Sequence, residues 1–158
     1  MYGSNIEQLV GKKVKKIHMD EDSLTFITDG GDFGFRVDGD CCSTSLFYDF
    51  YGVKNLLNNG AITEVKEVEL HPTDITNDGS YGGSKDKKHS DESIQVYGYQ
   101  LTTVSPEFGE VTSVFSFRNY SNGYYGGDLV TGTPNLEAPE ITEDVIETQS
   151  PNKQDNPL

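Results

Sequence analysis

The stretch "VKKIHMDEDSLTFITDGGDFGFRV", residues 14–37, decides the fold. Apolar and polar residues alternate in three short runs, and this period of two is typical of half-buried strands. Turn-forming residues at 22–23 and 29–32 separate the runs. The runs are residues 14–19, 24–28 and 33–37. The stretch therefore predicts a three-stranded antiparallel meander.

The residues on either side of the meander predict short helices. Upstream, Ser4-Asn5 precedes "IEQLV" and predicts a capped helix that ends at Gly11. Downstream, apolar residues at 46, 47 and 50 have helical spacing and predict a helix over residues 45–51. A further helical turn is expected over residues 53–57, before the stop signal "NNG". Together, residues 45–57 predict a helical segment that buries one face.

Later segments again have the sequence pattern of strands. Strands are predicted over residues 61–70, 92–105 and 109–121. Asn122-Gly123 predicts a hairpin turn, with residues 124–131 as the return strand. The fold class expected is α+β: an antiparallel sheet of about six strands packed on the short helical segment, in a single domain over residues 1–132.

Two segments have a composition that does not favour packing. Residues 71–92 are dominated by Gly, Ser, Asp and Lys, and predict a flexible polar loop. Residues 133–158 are rich in acidic residues and proline, and predict a disordered acidic C-terminal tail.

The composition limits the classes of partner. Asp and Glu number 26 against 12 Lys and Arg, which gives a net charge of −14. Direct nucleic-acid binding and attraction to an anionic membrane both need the opposite charge, so neither is expected. No apolar run is long enough to span a membrane, and the N-terminal residues lack the order of a signal peptide. With only two cysteines, the chain is expected to be cytoplasmic.

The motif "GDCCSTS", residues 39–45, raises the question of a metal, a nucleophile or an anion site. A zinc site needs about four ligands, and two adjacent thiols with three scattered histidines do not predict one, so neither a metal nor a cofactor is expected. We interpret Gly39, Asp40, Cys41 and Cys42 as a structural motif in which small thiols fill a corner between strand and helix. A thiolate from either cysteine remains an alternative, which would make the protein a cysteine-dependent enzyme.

The hydroxyl residues of the same motif predict an anion site. If a helix begins near Ser43, the backbone N–H groups that follow, together with Ser43, Thr44 and Ser45, could bind a phosphate or carboxylate. The interpretation that we favour is that Asp40 or Ser43 caps the helix and satisfies these groups, with the anion site as the alternative.

The two arginines and several tyrosines predict a second ligand site. Arginine recognises phosphate and stacks on aromatic rings, and tyrosine offers a stacking face for a base. Both arginines lie in predicted strands, so they could form a pocket for a small anionic nucleotide. Its residues would be Arg36, Arg118, Tyr97, Tyr99 and Tyr120. Ordinary cross-strand packing of the same residues is the alternative.

The segments "LVGKKVKKI" and "DGDCCSTSLF" resemble an uncharacterised family of small bacteriophage domains, marked by Gly-Asp-Cys-Cys-Ser before a helix that carries aromatic residues. The matching residues are 39–43, with Leu46-Phe47 after them, and the resemblance covers roughly residues 8–125. It implies a phage origin and a fold, with the host bacterial cytoplasm as the location, but no chemistry.

A phage origin favours a non-enzymatic binding protein, by analogy with small acidic phage proteins that carry no enzyme motif. The function expected is a counter-defence factor that sequesters a small nucleotide-like signal. The alternatives are an acidic protein–protein inhibitor or DNA mimic that blocks a basic host protein, and the cysteine-dependent enzyme. The sequence does not predict an oligomeric state.

Overall fold

A computed structural model describes residues 5–39, 44–69, 93–121 and 127–146. These residues form a short 3-10 helix, one α-helix and nine strands. In chain order the elements are the 3-10 helix Ile6–Leu9, β1 Val14–Met19, β2 Ser23–Thr28, β3 Gly31–Gly39, β4 Thr44–Tyr51, α1 Val53–Asn58, β5 Glu64–Glu69, β6 Ser93–Ser105, β7 Gly109–Ser121, β8 Gly127–Gly132 and β9 Glu140–Ile141.

The strands form two antiparallel sheets. The first sheet has the order β8-β3-β2-β1-β9, and the second has the order β4-β7-β6-β5. The predicted meander is confirmed as β1, β2 and β3, with Ile17 opposite Phe26 and Phe26 opposite Phe33. The prediction of one six-stranded sheet on a helical segment is wrong, because the described residues divide nine strands between two sheets.

The helix predicted over residues 45–51 is wrong as well, since this segment is β4. Phe47 lies opposite Phe117 and Phe50 lies opposite Phe115, with a register shift between the two pairs. This bulge places two residues of β4 against one of β7, so Phe47 and Phe50 both face the core although they are three residues apart. Their spacing therefore imitates that of a helix. The helical turn expected from residue 53 is confirmed as α1.

Aromatic side chains from both sheets form the centre of the core. The Phe26 ring of the first sheet lies 6.1 Å from that of Phe50 and 6.3 Å from that of Phe115 in the second. The first contact is edge-on and the second is tilted, and aromatic rings at this distance attract each other in such arrangements. The buried phenylalanines are Phe26, Phe35, Phe47, Phe50, Phe115 and Phe117.

The long hairpin is β6–β7 rather than the predicted pair across Asn122-Gly123. Strands β6 and β7 pair along their whole length, from Ser93 opposite Ser121 to Ser105 opposite Gly109. Strand β8 pairs with β3 of the other sheet instead of with β7. Both edges of β7 already have neighbours, β4 and β6, so no edge is free for a return strand. The predicted turn lies outside the described residues.

Residues 133–146, predicted as part of a disordered tail, cross the outer face of the first sheet, and we call them the strap. The backbone N–H of Asn135 donates to Thr25 Oγ1 at 2.9 Å, and its side-chain Nδ2 donates to Ser23 Oγ at 3.1 Å. The Ala138 carbonyl oxygen lies 2.8 Å from His18 Nδ1. The strap then pairs with β1 as β9. Polar side chains, which composition associates with disorder, here hold the strap by hydrogen bonds.

The end of the strap reaches the second sheet. Val145 and Phe50 exchange two backbone hydrogen bonds, at 2.9 and 3.0 Å. Asp144 Oδ1 accepts a hydrogen bond from the backbone N–H of Val53 at 2.9 Å. The strap therefore connects the β1 edge of one sheet to the β4 edge of the other. The rest of the predicted tail, residues 147–158, and the predicted loop over residues 71–92 lie outside the described residues.

Candidate functional site

The two arginines of the predicted nucleotide pocket lie on different sheets. Arg36 is on β3, where its guanidinium is 3.2 Å from Asp38 Oδ1 and half of its side chain is exposed. Arg118 is on β7 and is fully buried. An exposed arginine with a local carboxylate partner has the ordinary geometry of a surface ion pair. Arg36 and Arg118 are thus held in separate surroundings.

Arg118 lies in a buried cluster built by the bulge of β4. Its guanidinium carbon is 3.2 Å from the centroid of the Tyr48 ring, and Nη2 is 3.8 Å from Asp49 Oδ2. The backbone N–H of Asp49 donates to Ser116 Oγ at 3.2 Å, which ties the bulge to β7. A bulge turns two consecutive side chains toward one side of a strand, so Tyr48 and Asp49 both reach the guanidinium. The arrangement compensates a buried charge and is structural.

Tyr97 and Tyr99 face the core side of the second sheet. The Tyr97 ring stacks on Phe117 at 5.2 Å between centroids, and the Tyr99 ring stacks on Phe115 at 5.7 Å. Phe117 and Arg118 are consecutive on a strand, so their side chains project from opposite faces. Arg118 therefore does not share a pocket with Tyr97 and Tyr99. The Tyr120 side chain lies outside the described residues.

The anion site predicted at a helix N-terminus is not formed, because no helix begins there. Thr44 lies opposite Tyr120 and Ser45 opposite Asn119, in the ladder between β4 and β7. Asn119 Nδ2 donates to Ser45 Oγ at 2.8 Å. Residues 40–43, with both cysteines and Ser43, lie outside the described residues. Gly39 is described as the last residue of β3, and the structural role of Asp40, Cys41 and Cys42 stays a prediction.

Four exposed carboxylates lie on two segments that flank the end of β1, and we call Glu21, Asp22, Glu137 and Glu140 the acidic edge. Glu140 lies opposite His18 on β1, and the Met19 backbone N–H donates to the Pro139 oxygen at 2.9 Å. Within the described residues, none of the four carboxylates is in an ion pair. Sequence reasoning missed the acidic edge because Asp22-Ser23 indicates only a turn, and the strap was predicted to be disordered.

An open cleft of about 420 Å³ lies beside the start of α1. Lys54 Nζ is 3.9 Å from Glu143 Oε2, an exposed ion pair at the cleft wall. The residues that line the cleft are Gly52, Lys54, Asn55, Glu143 and Asp144. Burial, and then the Asp49 carboxylate, raise the pKa of the nearby Tyr51 hydroxyl. The two carboxylates leave the cleft without the positive charge that an anionic ligand needs.

Two classes of feature are absent from the part of the chain that the structure describes. It contains no group of three or more His, Cys, Asp or Glu side chains placed to hold a metal ion. In the same ranges, none of the helical segments has the length and apolar character that crossing a bilayer requires.

Comparison with known proteins finds one family. A family model described as a domain of unknown function, DUF7448, matches residues 7–131. This match confirms an uncharacterised domain over most of the chain, and it ends before the strap begins. No curated protein and no solved structure matches the chain.

Proposed function

The chain belongs to the DUF7448 family, and we propose that it is a non-enzymatic binding protein whose acidic edge contacts a basic surface on a partner protein. The observation that carries this proposal is the acidic edge itself. Four exposed carboxylates, on segments that are distant in sequence and adjoin at the end of β1, are in no ion pair within the described residues.

The electrostatics of the described residues favour a basic partner. Four carboxylates on one edge, with no basic side chain paired to them, give that edge a negative potential that lysine or arginine side chains of a partner would complement. A net charge of −14 extends the negative field beyond the edge and would speed the encounter with a basic protein. The exposed carboxylates remain solvated before binding, so the fold itself does not bear their desolvation cost.

The other predicted functions have less support from the geometry. A nucleotide pocket needs cationic groups facing a cavity, whereas Arg118 is buried beside Asp49 and Arg36 is bound to Asp38. The cysteine-dependent enzyme rests on Cys41 and Cys42, which lie outside the described residues. If the chain comes from a phage, the basic partner would be a host protein, and blocking it would be a counter-defence role.

The test is a capture experiment with two variants of equal net charge. The first neutralises the acidic edge with E21Q, D22N, E137Q and E140Q. The control neutralises four exposed carboxylates of β5 and the β6–β7 hairpin with E64Q, E67Q, E107Q and E110Q. Each tagged protein is incubated with bacterial lysate at low and at high ionic strength, and captured proteins are identified by mass spectrometry.

We expect the unsubstituted chain and the control to retain a protein with a basic surface at low ionic strength, and to release it at high ionic strength. The acidic-edge variant should not retain it. Equal capture by both variants would contradict the proposal, and so would a captured partner whose retention does not depend on salt.

A further inference from the structure

We propose that the outer face of the first sheet, together with the edge of β1 that pairs with β9, is a binding site for an extended peptide, and that the strap occupies this site in cis. The ligand class is a peptide strand with the chemistry of the strap. This proposal goes beyond the basic partner of the acidic edge and does not depend on it.

The strap is attached in the way that a bound peptide is attached. Its contacts with the first sheet are hydrogen bonds from Asn135 to Thr25 and Ser23, and from the edge of β1 to Pro139. Strand β9 is only two residues long. Of all the strap residues, only Ala138 is buried. Ile141 and Val145 pack against the core but are only partly buried, so the strap contributes little buried apolar surface and can open without the rest of the fold.

The first sheet is complete without the strap. Strands β8, β3, β2 and β1 are joined by antiparallel ladders, with one register shift between β1 and β2, and β9 is added to the outside of β1. The family match ends at residue 131, so the strap lies beyond the part of the chain that the family defines. Removing the strap would uncover the edge of β1, which is the kind of surface that binds peptides by strand addition.

The part of the first sheet that lies under the strap, which we call the floor, has room for a polypeptide backbone. A Cβ atom at Gly34 would lie 2.7 Å from the backbone of Pro134, so the strap crosses β3 where a side chain is missing. Beyond Gly34 the floor presents the hydroxyls of Thr25 and Ser23 and the imidazole of His18, each of which contacts the strap by a hydrogen bond.

The strap therefore defines what the site accepts. A ligand needs an amide side chain at the place of Asn135 and a small apolar residue at that of Ala138, which is 4% exposed. It also needs apolar side chains at the places of Ile141 and Val145, both of which pack against the core. The backbone between these positions must be extended in order to pair with β1.

Because the strap is part of the same chain as the sheet, it competes strongly with a peptide in solution. A segment joined by a short linker acts at an effective concentration of the order of millimolar. Only molecules in which the strap is open can bind a peptide from solution. The apparent affinity therefore equals the intrinsic affinity multiplied by the fraction of molecules that are open. A substitution that weakens only the strap leaves the site intact, so it should raise the affinity for the peptide.

The experiment uses the full chain and a fluorescein-labelled peptide of residues 133–146, with binding followed by anisotropy. The loosened variant carries N135A and A138E, both in the strap. The matched control carries L136A and T142A, at two exposed strap positions outside the acidic edge that make no side-chain contact with the sheet among the described hydrogen bonds. A peptide of scrambled sequence controls for charge.

We expect the loosened variant to bind the peptide at least about tenfold more tightly than the unsubstituted chain does, with no change for the control. Equal affinity, or no binding to the loosened variant, overturns the proposal. A dimer of the loosened variant in size-exclusion chromatography also overturns it, because the occupant would then be the strap of a second copy.

Hydrogen exchange on the unsubstituted chain tests the same proposal if the loosened variant does not fold. The amides of Met19 and Phe50, which donate to the strap, should exchange faster than the amide of Phe26 in the middle of the first sheet. Exchange of all three at one common rate means that the strap leaves only on global unfolding, and this result overturns the proposal.

Discussion

Replacing Arg118 with methionine tests whether the buried cluster of the second sheet stabilises the fold. Methionine keeps much of the stem of the side chain but removes the cation beside Asp49. Both side chains are 0% exposed, so water does not replace the lost interaction. We expect a large loss in the free energy of unfolding.

The geometry sets the size of this loss. At 3.8 Å, two unit charges in an effective dielectric of about 20 attract each other by about 4 kcal/mol. The contact with the Tyr48 ring adds about 2 kcal/mol when it is shielded from water. Part of this gain offsets the cost of desolvating both groups, and breaking a buried pair typically costs about 3–5 kcal/mol in net terms. We therefore expect Arg118→Met to lose about 3–5 kcal/mol.

A double-mutant cycle separates the ion pair from packing. The variants are Arg118→Met, Asp49→Leu and the two together. The chain has no tryptophan, so urea unfolding is followed by far-UV circular dichroism and tyrosine fluorescence. The double variant removes both charges at once, so it should be more stable than the sum of the single effects predicts, by at least about 2 kcal/mol.

Additive effects would refute this reasoning. If the coupling is below about 0.5 kcal/mol, the carboxylate and the guanidinium do not depend on each other in the folded state. A loss below about 1 kcal/mol for Arg118→Met alone would likewise show that the cluster accommodates an uncompensated carboxylate, against the burial seen here.

Two further predictions concern the core and pH. Phe26→Ala, at a ring fully buried between the sheets, should lower the free energy of unfolding by about 3–5 kcal/mol, whereas Phe108→Ala, at a ring 76% exposed, should change it by less than about 0.5 kcal/mol. If urea unfolding shows comparable losses in the free energy of unfolding for the two variants, Phe26 does not lie at the centre of the core. Since the folded-state pKa of Tyr51 lies above its ordinary value of 10.0, the unfolded state loses the proton first, and stability should fall as the pH rises through about 10. Tyr51→Phe should reduce this fall in alkaline unfolding curves, and an unchanged pH dependence would show that the hydroxyl is not responsible.

The meander was predictable because its residues follow one local rule. Between residues 14 and 37, alternation and turn formers agree, and the strands pair with their neighbours in sequence. The segment at β4 breaks that rule, because the bulge at Tyr48 and Asp49 brings Phe47 and Phe50 to the same face. A spacing of three apolar positions does not distinguish a helix from a bulged strand, and only the partner strand decides.

The strap and the acidic edge were beyond sequence reasoning for another reason. Polar residues such as Asn135 and Asp144 are typical of disordered segments, yet here they make specific hydrogen bonds to distant parts of the chain. Composition does not show where such a residue finds its partner. The same holds for Arg118, because its sequence neighbours do not indicate that it is buried beside Asp49.

The pairing of β6 with β7 has a consequence for how the protein folds. A hairpin of two thirteen-residue strands around a tight turn needs only local contacts, and such units form within microseconds. The pairing of β3 with β8, in contrast, joins strands some ninety residues apart in the chain, as shown by Arg36 opposite Val130. We therefore expect the β6–β7 hairpin and the β1–β2–β3 meander to form early, and the long-range pairings of β4 with β7 and of β3 with β8 to form late, so that a chain emerging from the ribosome gains its final architecture only after its C-terminal third has been synthesised.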